Sequence, residues 1–159
     1  MIQRIQSVYL ALVAVLSILG LCLPLGQYYD GANLMATLGS FVFNPTDAYD
    51  ASKDWGAIGL AVMDIIIFLL TLMTIMLFRY RMRQLRLVIF TTILLVGTIA
   101  YFAVLAWKFN MQMQTLVPDA SFHLCVAALF PVFSIIFNCL AIHGIRKDEA
   151  LVRSLDRLR

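Results

Sequence analysis

Asp64 is the residue of this sequence best placed to do chemistry, a single carboxyl set inside a long apolar run. It stands about eight residues in from one end of that run, about 12 Å deep at about 1.5 Å per residue. A carboxylate at such depth in a bilayer costs about 2.5 kcal/mol or more, so it needs a partner or a proton. One reading is a proton- or cation-coupling carboxyl; the other is a buried hydrogen-bond hub. Ser17, Thr98 and Tyr101 fall at comparable depth in neighbouring runs. Pro131 does too, and inside a helix it would leave the carbonyl of Ala127 without its donor. No second acid or base stands deep in the apolar runs to complete a relay, which favours the hub.

The other polar candidates are fewer still. Ser134, Asn138 and Ala141 are spaced by four and three on one helical face, where an Asn is expected to bond a neighbouring helix. His123 and His143 are 20 residues apart, about 30 Å along one helix, and cannot share a metal ion. Cys22, Cys125 and Cys139 form no CxxC pair and read as small apolar side chains. The sequence contains no HExxH, GxSxG or Walker loop. Neither enzymatic activity, a metal nor a cofactor is expected on this ground.

These residues are carried by a chain that is 62% hydrophobic and only 13% charged, with a mean hydropathy of +0.90. Soluble domains run at roughly 45–50% and about 25%, so the chain belongs in a bilayer. Four runs are long enough to cross about 30 Å of hydrocarbon, at about residues 5–26, 56–78, 87–109 and 121–145. A cleaved signal peptide fits the first run poorly, for it is long for such a segment and no small-x-small site follows. Pro24 and Gly26 are expected to end helix one, with Tyr28 and Tyr29 at headgroup level. Between runs one and two, residues 27–56 contain Leu34 to Phe43, the makings of a short strand or hairpin. The fold class expected is an all-α membrane protein, a four-helix up-down bundle with a small structured outer loop. Small residues would hold it together: Gly97, Ala100, Ala103 and Ala106 on helix three, Ser7, Ala11 and Ala14 on helix one, Gly56, Gly59 and Ala61 on helix two.

Charge gives the orientation. One side collects Arg4, then Arg79, Arg81, Arg83 and Arg86 in FRYRMRQLR, then Arg146, Lys147, Arg153, Arg157 and Arg159; the other has Lys53 and Lys108. Ten against two puts both termini and the arginine turn of the multi-pass chain in the cytoplasm. Asp30, Asp47, Asp50, Asp54 and Asp119 fall on the outer side. Beyond a bundle at 1–145, residues 146–159 read as a cytoplasmic amphipathic helix continuing from helix four. Leu151, Leu155 and Leu158 share a face, and Glu149 precedes Arg153 by four. Asp148, Glu149 and Asp156 are candidate partners for Arg79 to Arg86. The basic face suits anionic lipid or another membrane or cytoplasmic protein, whereas acids among its basic residues and a lack of aromatics disfavour nucleic acid. A non-catalytic membrane subunit or scaffold using that face is thus the first functional expectation, and a small transporter or proton-coupled component centred on Asp64 the second.

The opening MIQRIQSVYL and the closing IRKDEALVRSLDRLR resemble the ends of a small four-span inner-membrane family of Bacteroidota catalogued as a domain of unknown function. The resemblance implies source, compartment and topology, and supplies no catalytic residue.

Overall fold

The computed structural model describes residues 3–31, 33–39, 44–45, 55–77, 80–116 and 121–156. Its elements in chain order are α1 (Gln3–Cys22), β1 (Pro24–Asp30), β2 (Asn33–Gly39), β3 (Asn44–Pro45), α2 (Trp55–Met76), α3 (Arg81–Leu116), β4 (Ser121–Leu124), a 3-10 turn (Val126–Leu129) and α4 (Phe130–Asp156). All four helices are long and apolar enough to cross a membrane.

α1 packs on α2 and α4, and α3 packs on the same two, so the helices form a ring. Neighbours run antiparallel. Gly56 meets Leu105, Gly59 meets Tyr101 and Gly97 meets Met63, so α2 descends as α3 rises, while Gln6 near the start of α1 meets Gly144 late in α4. Each helix buries a seam at alternating steps of three and four: Gln6, Leu10, Val13 and Ser17; Leu60, Asp64, Ile67, Thr71 and Thr74; Gln84, Val88, Thr91, Leu95 and Thr98; Ser134, Asn138, Ala141, Ile145 and Asp148. That spacing keeps one stripe of each helix facing its neighbours. The outside is apolar instead: Ile5, Val8, Leu12 and Val15 on α1, and Leu69, Met73, Ile93 and Val104 elsewhere, are exposed. A polar seam inside an apolar coat suits lipid, where apolar burial drives no association and close packing and hydrogen bonds do.

The all-α expectation is corrected at one end of the bundle, where a small antiparallel sheet in the order β3-β2-β1-β4 caps the helices. β1 and β2 form a hairpin with Asp30 opposite Asn33, turned through Gly31 at φ 58, a conformation glycine adopts without Cβ strain. Leu34 to Gly39, within the segment read as a short strand or hairpin, does form a strand, and its hairpin partner is the earlier β1; 41–43 and 118–119 lie outside the described residues, as do Asp47, Asp50 and Asp54. Helix one ends before Pro24, which opens β1. Tyr28 is fully buried, because β1 lays it on Leu25, Leu38, Leu60, Leu105, Phe109 and Ala127.

Helix four starts nine residues later than expected, at Phe130 against Ser121. Ser121–Leu124 pairs with β1 instead, since apolar runs of this length serve equally as strand or helix. Pro131 therefore stands in the first turn of α4, where a missing N–H costs nothing. The Ala127 carbonyl is not orphaned; it accepts the Phe130 N–H. Helix three is longer than expected at 36 residues, about 54 Å at about 1.5 Å per residue. Its first turns take up Arg81, Arg83 and Arg86, which the sequence had assigned to the connecting turn. The stripe of small residues on α3 is not an interface, for Ala100 and Ala103 are exposed. Strict three-residue spacing advances about 300° per step and so walks around a helix of 3.6 residues per turn.

Candidate functional site

Ser17, Asp64, Thr98 and Ser134, one from each helix, line a cavity of ≈ 40 Å³ in the bundle interior. All four are buried, Asp64 the most exposed of them at 8%. The rest of the wall is apolar, with Leu16, Leu25, Leu60, Leu95, Phe102 and Phe130 among it. Leu25 and Leu60 belong to the core beneath the sheet, so β1 closes the cavity on that side. Gly20 of α1 faces the Asp64 carboxyl, and a Cβ there would stand 3.8 Å from Oδ2. Asp64 is itself engaged in a polar or electrostatic interaction.

The hydroxyls are committed in one direction. Ser17 donates to the Val13 carbonyl at 3.0 Å and Thr98 to the Leu94 carbonyl at 3.0 Å. Having given up its only proton, each presents lone pairs to its surroundings. Thr71, one seam step beyond Ile67, donates likewise to the Ile67 carbonyl at 2.7 Å, and Thr91 to that of Leu87 at 2.8 Å. Polar oxygen thus continues along the interior away from the sheet.

Asn138 lies one turn along α4 from Ser134, is 0% exposed, and neither its Nδ2 nor its Oδ1 has a hydrogen-bond partner. The expected interhelical bond is not formed. An unsatisfied buried amide costs about 1–3 kcal/mol per group, so Asn138 carries a stability cost in this fold.

At the far end Gln6 donates to Asp148 at 3.0 Å, both side chains buried. Asp148 thereby turns into the bundle beside α1, where the α4 seam runs through Ala141 and Ile145 to Asp148 on the inward face. Glu149 instead shares a shallow surface groove with Met82, Arg146 and Ala150. Arg83, Arg86, Arg146 and Lys147 are exposed at this end, and Arg83 lies over the Tyr80 ring at 4.2 Å. Arg79 and Arg157 lie outside the described residues, and Arg4, Arg81 and Arg153 are placed on their helices.

Of the sequence candidates, Asp64, Ser17 and Thr98 do come together, joined by Ser134. Tyr101 does not join them: its hydroxyl donates to the Gly56 carbonyl at 3.1 Å, a turn nearer the sheet. His123 meets Tyr29 edge-on at 5.4 Å and His143 is exposed on α4. No three His, Cys, Asp or Glu side chains gather into a metal site among the described residues. Gln6, Thr71, Thr91 and Gln84 escaped sequence reasoning, although polar residues recurring by threes and fours in apolar helices were the available signal.

No curated protein matches this chain. The family described as Domain of unknown function (DUF4293) matches residues 2–158. A match over nearly the whole chain, on helices suited to a membrane and a cap of short strands, makes the chain a member of the DUF4293 family.

Proposed function

We propose that this protein is a small proton- or cation-coupled component of a bacterial inner membrane, working at Asp64. The observation that carries it is the interior cavity where one helix supplies a carboxyl and the other three a hydroxyl each. Packing alone does not require an open space beside a carboxylate, since protein interiors are otherwise close-packed. A second buried carboxyl, Asp148, lies at the far end of the same seam, beyond the apolar layer of Leu10, Val88, Ala141 and Ile145. In this reading both termini face the cytoplasm by the bias of Lys and Arg, and the sheet caps the outer mouth.

The test is proton flux. Full-length protein in proteoliposomes carrying a pH-sensitive dye dissipates an imposed pH gradient, and Asp64→Asn abolishes that flux while Thr92→Val leaves it. Thr92 donates to its own helix at the Val88 carbonyl, 2.8 Å away, and does not line the cavity. Equal flux from the wild-type protein and the Asp64→Asn variant sinks the proposal.

A second reading rests on a separate observation, the exposure of Arg83, Arg86, Arg146 and Lys147 at the end where α1 starts and α4 finishes. That basic end suits anionic headgroups, or an acidic partner protein for which this chain is a non-catalytic subunit.

A further inference from the structure

We infer that the Asp64 cavity binds a single monovalent alkali cation, of which Na+ is the probe. This deepens the reading of Asp64 as a coupling residue, and rests on it only in using the same carboxyl.

Size comes first. A cavity of ≈ 40 Å³ has room for about three waters at about 10–15 Å³ each. That is enough for an ion with a water or two, and too little for an organic solute, whose pockets run to several hundred Å³.

Sign and chemistry follow from the hydroxyl protons. Because Ser17 and Thr98 donate to Val13 and Leu94, their oxygens can only accept or coordinate. With the Asp64 carboxyl these make a polar side-chain set of oxygens only, which repels anions and suits hard cations. The absence of nitrogen and sulfur from the four polar side chains in the lining disfavours transition metals.

Charge then selects valence. One carboxylate neutralises one positive charge, whereas a divalent ion would leave a net charge among Leu25, Leu60, Leu95, Phe102 and Phe130, where uncompensated charge is expensive. A proton would also neutralise Asp64, but it supplies a single O–H donor where the oxygens of both Ser17 and Thr98 are left to accept.

Asn138 is the independent observation. A fully buried amide with no partner on either atom, one turn from Ser134, gives a desolvating ion or its water a polar foothold beyond the cavity. Past it, the apolar layer of Leu10, Val88, Ala141 and Ile145 separates the cavity from the Gln6–Asp148 end. The sheet core borders it on the other side.

The experiment measures binding of radiolabelled Na+ to purified full-length protein in detergent, with choline chloride holding ionic strength constant. Saturable binding of about one Na+ per chain is expected, weakening as pH falls because a proton competes for Asp64. Asp64→Asn abolishes it. Thr98→Val, which keeps the shape and removes one oxygen, weakens it about tenfold, the scale of one lost polar contact, and Thr92→Val leaves it unchanged. Circular dichroism confirms that each variant is folded. No saturable Na+ binding by folded wild-type protein overturns the inference, as does binding indifferent to both Asp64→Asn and Thr98→Val. Proton flux that needs Asp64 in a protein that binds no Na+ would remove the alkali ion and leave the coupling carboxyl standing.

Discussion

Tyr28 and Asn138 are both fully buried polar residues, and they show two ways of meeting the cost of desolvation. Tyr28 meets it locally: its hydroxyl donates to the Ala106 carbonyl at 3.2 Å, and its ring packs on Phe122 at 4.9 Å. Burial pushes its pKa from 10.0 up to about 12, since the phenolate would lose its solvation. A group whose folded pKa exceeds its unfolded value stabilises fully below the unfolded pKa and loses that contribution as pH rises through the folded one. Stability should therefore hold up to about pH 10 and fall between about 10 and 12. Tyr28→Phe should remove the latest-ionising tyrosine from an ultraviolet alkaline titration and cost about 1 kcal/mol at neutral pH, one neutral hydrogen bond. An unchanged titration would show that Tyr28 is not the shielded phenol. Tyr28 was visible in the sequence only as an interfacial aromatic, because burial depends on strands that pair residues nearly a hundred positions apart, as Tyr28 does with Phe122.

Among the elements, α2 and α3 display how this bundle closes. Gly56 and Gly59 receive Leu105 and Tyr101, and a methyl on Gly59 would overlap the Tyr101 phenol. Small residues here admit large ones from the facing helix, which is closer packing than two matched small stripes would give. Gly59→Ala should cost about 1–3 kcal/mol, as overpacking does. Combining it with Tyr101→Phe, which withdraws the overlapping hydroxyl, should recover part of that loss in a double-mutant cycle on thermal unfolding. Strict additivity of the two changes would contradict the contact. The two glycines were legible in the sequence; the small stripe on α3 was legible too and misleading, because composition does not say which residue on the other helix will fill a gap.

Taken whole, the molecule is a ring of four antiparallel helices with strands at one end and exposed arginines at the other. Single cysteines placed at Arg83 and at Ser121, in a chain with Cys22, Cys125 and Cys139 replaced, should react with a membrane-impermeant maleimide from opposite sides in oriented vesicles, Arg83→Cys from the cytoplasmic side and Ser121→Cys from the outer. Labelling of both from one side would reverse the proposed topology. What the sequence determined by itself was the coarse plan: four apolar runs, their approximate limits, and Asp64, Ser17 and Thr98 as residues at one depth. Hydrophobic length and helical rise are local properties, so one chain read in order is enough to reveal them. Only the tertiary structure decided that residues 121–124 form a strand, that Pro131 opens α4, that Ser134 rather than Tyr101 completes the cavity, and that Asp148 turns inward to Gln6. Each of those outcomes depends on which segment arrives alongside, and a pairing energy between distant segments cannot be read from either one alone.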